Sequence, residues 1–257
     1  MWFDEYTQVF LCFWVYPEPT VLAVVGIVDN NYRGGCEMNK IQGIDDTDYK
    51  IAMGRLLVMY TQVDYLIMRA VAERIAEAPD DESRLFMAKQ VGDESRHVRI
   101  QQEWIKKFGS DSTPVFNDIQ QDMFLAHFRS LNWLDFLTDM YVCIEALGSE
   151  AVEQVVPMAD PGTRDSLKTP LEDEMDHVAF GLGRLHDELA KLPEAESQAY
   201  LQSIESRLDF LDDTLHGLGI DVPAMFSAVG ADYNKVVATV LHRRQQKLES
   251  LAQPLAA

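Results

Sequence analysis

Two pentapeptides, Asp93-Glu94-Ser95-Arg96-His97 and Asp173-Glu174-Met175-Asp176-His177, share the pattern D-E-x-x-H, each inside a stretch of helical periodicity. A Glu and a His three residues apart on a helix lie about 60° apart around its axis, so both project from one face. Each motif is preceded at almost the same distance by another acid. Asp64 stands 30 residues before Glu94, and Glu145 stands 29 before Glu174. Such an interval accommodates a helix, a short turn and an antiparallel return that brings two side chains level. The repeat therefore constrains the chain to four long helices that direct four carboxylates and two imidazoles at one point.

The faces agree with this. Leu57, Tyr60, Ile67, Met68 and Val71 stand at helical steps from Asp64, and Tyr141, Val142, Gly148, Ser149 and Val152 from Glu145. Met87, Val91 and Val98 flank Glu94, and Leu167, Leu171 and Val178 flank Glu174. Carboxylates on mainly apolar stripes cost several kcal/mol each unless their charge is balanced. Two divalent cations cancel four carboxylates, and two neutral histidines complete the set. Oxygen and imidazole donors without thiolate suit iron or manganese better than zinc. Asp93 and Asp173 directly precede the two glutamates and are placed to accept the outer N–H of a histidine, by our reading that of the opposite motif. Arg96 is a partner for one of these acids.

The rest of the chain supports an all-α fold. The spacing predicts helices from Asp46 or Thr47 to about Ala78, from Asp80 to Phe108 with Gly109 as stop, and from Asp118 or Ser130 to Val156 in one or two pieces. A fourth runs from Asp160-Pro161 to Lys191, with Pro170 predicting a kink or a restart capped by Thr169. Two more follow at about 194–215 and 222–252. We thus expect a four-helix bundle at 46–192, a C-terminal helical pair at 193–257 packed on it, and an N-terminal extension at 1–45. In the extension Val21–Val28 is a candidate strand and Met38 a candidate natural start.

A formal net charge of −20 disfavours nucleic acid and anionic membranes as partners. No apolar run reaches the roughly 20 residues a membrane helix needs, and Asp4, Glu5 and Pro17-Glu18-Pro19 do not fit a secretion signal. Three irregularly spaced cysteines, Cys12, Cys36 and Cys143, fit no disulfide framework. A reducing, cytoplasmic location is the expectation.

The two motif segments, the second extended by Val178-Ala179-Phe180-Gly181, resemble the ligand helices of the ferritin-like non-haem di-iron carboxylate proteins. Within that superfamily the 30- and 29-residue intervals and the short chain most resemble the catalytic subunits of phenylacetyl-CoA and benzoyl-CoA epoxidases. The resemblance spans about residues 50–190. It implies a ferritin-like four-helix bundle with additional C-terminal helices, and Asp64, Glu94, His97, Glu145, Glu174 and His177 as ligands of two iron ions, with a manganese–iron pair as a variant. Asp64 stands where that group usually has Glu, and Glu145 where it usually has Asp.

Beyond the ligands, Asp93, Asp173 and Thr138 are the candidate catalytic residues. Thr138 lies seven before Glu145, placed to donate toward dioxygen at the centre; the competing assignment is a hydroxyl bonded to its own helix backbone. Tyr60 and Tyr141 are each one turn before a ligand and read as packed aromatics more readily than as redox-active groups. Cys143 reads as a buried inert thiol, and His127, His186, His216 and His242 as surface or satisfied histidines. Gly148, Gly181 and Gly183 fit either a cavity or close helix packing.

The expected function is a di-iron monooxygenase that activates O2 to hydroxylate, epoxidise or N-oxygenate a small organic substrate, by resemblance an aromatic or acyl-CoA thioester. Two electrons must come from an external reductant, implying a reductase partner, with a homodimer or companion subunit also compatible. The alternatives are a ferroxidase, peroxidase or iron-handling protein using the same ligands, and a non-catalytic scaffold subunit, against which all six filled positions argue. A transfer-RNA hydroxylase of similar fold is disfavoured by the charge.

Overall fold

The computed structural model describes residues 46–217 and 221–251. Residues 41–257 group as one unit. Residues 1–45 lie outside the described residues, and with them the expected strand at Val21–Val28, the candidate start at Met38, Cys12 and Cys36; so does the side chain of His216.

Every described element is helical, and no strand occurs among the described residues. Helix α1 spans Thr47–Arg74 and tightens into a 3-10 turn, Ile75–Glu77, before Pro79. Helix α2 spans Asp81–Phe108 and ends on Gly109, whose φ of 64° is the left-handed cap that glycine adopts without strain. Helix α3, Asp118–Ser130, opens with a capping box in which Asn117 and Gln120 satisfy each other's backbone. The break at Leu131-Asn132 resolves the one-or-two-piece alternative in favour of two. Helix α4, Trp133–Leu137, runs without interruption into a π-helix, Thr138–Glu145, and then into α5, Ala146–Val155. Helix α6, Pro161–Leu189, is capped by Asp160, which accepts from the N–H groups of Gly162 and Thr163 and from the Tyr49 hydroxyl at 2.8 Å.

Pro170 does not restart α6. It is buried, and the helix continues through it. A mid-helix proline removes one backbone hydrogen bond, and the packing of Leu167, His177, Val178 and Leu185 holds the helix together on either side.

The C-terminal part forms α7, Glu194–Gly217, α8, Val222–Ala228, and α9, Tyr233–Leu251. The single helix expected over 222–252 is divided, because Gly230 adopts φ 86° and Asp232 then caps a new start at Lys235 and Val236. Helix α7 packs on the π-helix, α8 on α1 and α9 on α5. No helix is long and apolar enough to cross a membrane among the described residues.

Helices α1 and α2 form an antiparallel pair. The run α4–π–α5 packs on α6, and α2 on α6 closes the bundle. Its interior has two apolar cores. One holds Leu66, Ile67, Val71, Met87, Phe136, Tyr141 and Leu185. The other holds Tyr49, Met53, Leu57, Tyr60, Ile105, Val155 and Leu167. Along each of the four long helices, the acid or histidine singled out from sequence falls between residues of one core and residues of the other. The bundle therefore carries one polar layer at mid-height, sealed above and below by hydrocarbon.

Of the three glycines near this layer, only Gly181 is required by packing. A Cβ there would lie 2.1 Å from both Cβ and Cγ of Tyr141. A Cβ at Gly148 or Gly183 meets nothing within 4 Å. Gly181→Ala is expected to cost about 1–3 kcal/mol through overpacking, whereas Gly183→Ala gains helix propensity, up to about 1 kcal/mol. Urea midpoints of the two variants check this; equal effects would rule out the close Tyr141 contact.

Candidate metal centre

The four helices bring all six sequence-predicted ligands together. Asp64, Glu94 and His97 place one donor atom each within 4.8 Å of one another, and so do Glu94, Glu145, Glu174 and His177. Glu94 belongs to both groups. The constellation is thus two adjoining donor sets sharing one carboxylate, three residues in the first and four in the second.

Both imidazoles turn the same atom inward. His97 Nδ1 lies 3.3 Å from Glu94 Oε2 and 3.6 Å from Glu174 Oε1. His177 Nδ1 lies 3.3 Å from Glu94 Oε1, 3.6 Å from Glu174 Oε2 and 3.8 Å from Glu145 Oε1. Each outer nitrogen faces an aspartate of the opposite motif. His97 Nε2 is 3.0 Å from Asp173 Oδ2, and His177 Nε2 is 3.3 Å from Asp93 Oδ2. A proton on Nε2 donates to that aspartate and leaves the Nδ1 lone pair aimed into the cluster, the tautomer a metal needs. Arg96 bonds to both Asp93 and Asp173 and ties the two halves together, and Lys89 adds a 2.8 Å bond to Asp93. Phe86 packs edge-on against the His177 ring and stacks on Phe180, closing that side with aromatic surface.

Electrostatics set the cluster apart from an ordinary ion-pair network. Burial, with the Glu94 charge beside it, pushes the Asp64 carboxyl well above the usual range. Burial and the neighbouring Glu145 do the same to Glu174. Burial also acts on Glu145, but the adjoining Glu174 and His177 outweigh it and hold its carboxyl low. Burial opposes the charged form of His97, yet bonding to Glu94 and the nearby Asp64 raise it from 6.5 to about 9. His177 moves up by the same opposition, the nearby Glu145, Glu174 and Glu94 carboxylates prevailing. The outer pair behaves differently. Burial notwithstanding, Lys89 and His177 hold Asp93 low, and His97 and Arg96 hold Asp173 low. Ionised aspartates outside and proton-sharing acids inside are what a cation site looks like before charge balance.

Several inward atoms fit a metal on their own account. Glu94 Oε1, Glu145 Oε2, Glu174 Oε2 and His177 Nδ1 are buried without a hydrogen-bond partner. Orphaned acceptors of this kind are costly in a protein interior, and four converging on one point suit oxygen- and nitrogen-binding cations.

Two residues of the site carry no sequence signal of charge. Gln90 Nε2 donates to Glu145 Oε1, and Tyr141 Oη donates to Gln90 Oε1 at 2.8 Å. Gln101 Nε2 donates to Asp64 Oδ2 at 2.7 Å. Their register gives them away in retrospect: Gln90 is one turn before Glu94 and Gln101 one turn after His97 on the same face of α2.

Thr138 departs from its expected place. Its hydroxyl bonds the Leu134 carbonyl at 3.0 Å and the Tyr200 hydroxyl at 2.9 Å, in a network with Asp135, Asp139 and Arg207. Seven residues complete two turns only in an α-helix. Residues 138–145 wind with i→i+5 bonds, so a turn takes more residues and Thr138 rotates off the Glu145 face toward α7. The backbone-bonded alternative describes it, and the geometry gives it no catalytic place. Cys143 is buried, and His127 bonds Asp139 at 2.8 Å on the same outer network.

The crossed pairing yields a directional test. Asp93→Asn should weaken metal binding in the His177 set, and Asp173→Asn in the His97 set, each about 10- to 100-fold. Titration with Mn(II) followed by electron paramagnetic resonance separates the two sets. Losses falling on the histidine of the same motif would refute the crossed arrangement.

No protein-family model and no curated protein matches the chain. Among solved structures it is similar to protein 19 with aldehyde deformylating oxidase activity from Synechococcus, with a TM-score of 0.67 and 17% identity over 83% of this chain and 95% of that one. At this identity the likeness speaks for the fold, and the fold is the ferritin-like helical bundle with additional C-terminal helices.

Proposed function

We propose that the chain is a non-haem di-iron oxygenase that uses O2 to oxidise a small organic substrate. The observation that carries this is the six-residue, two-set cluster with shared Glu94 and four orphaned inward atoms. In this reading Asp64, Glu94 and His97 hold one iron, and Glu94, Glu145, Glu174 and His177 hold the other. Bound there, the iron pair supplies two-electron chemistry toward dioxygen and oxygen transfer to carbon or nitrogen.

The polypeptide contributes the rest. Asp93 and Asp173 keep the imidazoles in one tautomer and orientation. Gln90 and Gln101 fix Glu145 and Asp64 from outside. The two apolar cores keep bulk water from the layer, which guards a reactive centre against side reactions. Electrons come from an external reductant, and a reductase partner belongs to the proposal. For the substrate, the resemblance to the epoxidase subunits supports an aromatic or acyl-CoA thioester, and the activity named for the Synechococcus protein supports an aldehyde. Both are oxygen-bearing organic molecules, and we place the substrate in that class.

The test is anaerobic loading with Fe(II), exposure to O2 and Mössbauer spectroscopy. Two irons per chain that convert to a coupled diferric centre, followed by oxidised product from a substrate screen with a chemical reductant, is the expected result. Fe(II) oxidation with no organic product from any substrate would favour the iron-handling alternative. Absence of stoichiometric iron or manganese would end the enzyme reading.

A further inference from the structure

The two halves of the centre are built on one plan, and one half is left open. On the Glu145 side a tyrosine one turn before the acid, Tyr141, donates to Gln90, and Gln90 donates to Glu145. The chain of bonds is closed. On the Asp64 side the same parts recur: Tyr60 stands one turn before the acid, and Gln101 donates to Asp64. Here the tyrosine and the glutamine do not meet. Tyr60 Oη and Gln101 Oε1 are both buried with no hydrogen-bond partner among the described residues. Tyr60 is 8% exposed and Gln101 3%. This is also the half with three candidate donors instead of four, and the one whose acid is shorter by a methylene.

Two orphaned polar atoms beside the less fully ligated half point to an incoming molecule. Tyr60 has a proton to give and Gln101 Oε1 has a lone pair to share. A hydroxyl oxygen satisfies both, accepting from Tyr60 and donating to Gln101. We propose that the Asp64 half is the ligand-admitting side of the centre, and that Tyr60 and Gln101 are positioning residues for a small organic ligand bearing a hydroxyl group. The inference rests on the dimetal reading and deepens it. It also assigns opposite roles to two tyrosines in matching positions: Tyr141 is structural and Tyr60 serves binding.

The experiment uses the full chain loaded with iron and oxidised, with azide as reporter, titrated by its visible charge-transfer band. n-Butanol is the hydroxyl-bearing competitor. Metal content and melting temperature are measured on every variant. The wild type is expected to bind one azide per centre and to release it to n-butanol. Tyr60→Phe should bind azide about tenfold more weakly, lose the competition by butanol, and keep its iron. Its melting temperature should stay level or rise, because an unpartnered buried hydroxyl is removed. Tyr141→Phe should lose less azide affinity than Tyr60→Phe and melt lower, because Gln90 loses its partner. Unchanged azide affinity in Tyr60→Phe, equal losses in the two variants, or two azides per centre would overturn the asymmetry. Azide binding that butanol never competes with would overturn the hydroxyl ligand. A wild type that takes up no iron fails by its metal content alone, which brings down the dimetal reading and this inference with it.

Discussion

Glu94→Ala is expected to weaken binding of both metal ions, while Asp64→Ala weakens only one. Glu94 is the residue common to both donor sets, and its two oxygens face the two histidines, Oε2 toward His97 Nδ1 and Oε1 toward His177 Nδ1, each at 3.3 Å. Its loss leaves Asp64 with His97 on one side. On the other it leaves Glu145, Glu174 and His177 without the carboxylate that joins them to the first set. Asp64 takes part in the three-residue set alone, so the four-residue set survives its removal. Titration with Mn(II) under anaerobic conditions should show two ions per wild-type chain, one ion at wild-type affinity for Asp64→Ala and none at wild-type affinity for Glu94→Ala. Misfolding is a separable explanation. Glu94 is a fully buried acid among three others, so the metal-free alanine variant should melt no lower than the metal-free wild type. An ion kept at wild-type affinity in Glu94→Ala, or losses in both sets for Asp64→Ala, would refute the shared-carboxylate arrangement.

The reach of sequence reasoning here follows the kind of residue involved. Acids on apolar stripes are conspicuous because burial of charge is expensive, so Asp64, Glu94, Glu145 and Glu174 were legible from spacing, and His97 and His177 followed from the helical step of three. The polar layer between two cores follows from the same stripes. Neutral residues carry no such signal. Gln90 and Gln101 are ordinary helix formers, and only the finished register shows that they bond Glu145 and Asp64. Thr138 shows a second limit. Its assignment assumed an α-helical step through residues 138–145, and no local feature of Thr138-Asp139-Met140-Tyr141 announces i→i+5 winding. That winding answers to tertiary packing: it sets Tyr141 against Gly181 and turns Thr138 and Asp139 toward Tyr200 and Arg207. The break at Gly230 was open to local reading, since glycine followed by an Ala-Asp pair is an ordinary stop and restart. The helical periodicity on either side masked it.

Raising the pH from 6.5 to 9 should destabilise the metal-free protein and widen the stabilisation that metal confers. The His97 imidazole is raised from 6.5 to about 9, its bond to Glu94 and the charge of Asp64 overcoming burial. A group raised in this way stabilises the fold fully below its ordinary value, and that contribution is lost as pH climbs through about 9. His177 shifts in the same direction. Asp64 and Glu174 are raised as well and carry the same sign, so pH rising above the usual carboxylate range works against the fold through them too. Glu145 has the opposite sign: its lowered carboxyl adds stability above the usual carboxylate range and loses it on acidification, outside this window. A cation reverses the slope. It binds only once the carboxyls and both Nδ1 atoms are free of protons, so it takes the place of those protons and its affinity grows with pH. Melting temperatures of chelator-stripped and Mn(II)-loaded protein, compared anaerobically at the two pH values, read both effects. The stripped protein should melt several degrees lower at pH 9, the scale expected of a 1–3 kcal/mol change in a domain of this size, and the gap to the loaded form should grow. His97→Gln should flatten part of the metal-free slope by removing a titration inside the window. A metal-free melting temperature that rises with pH, or a gap that narrows, would show that the buried acids and imidazoles do not share protons in the arrangement described.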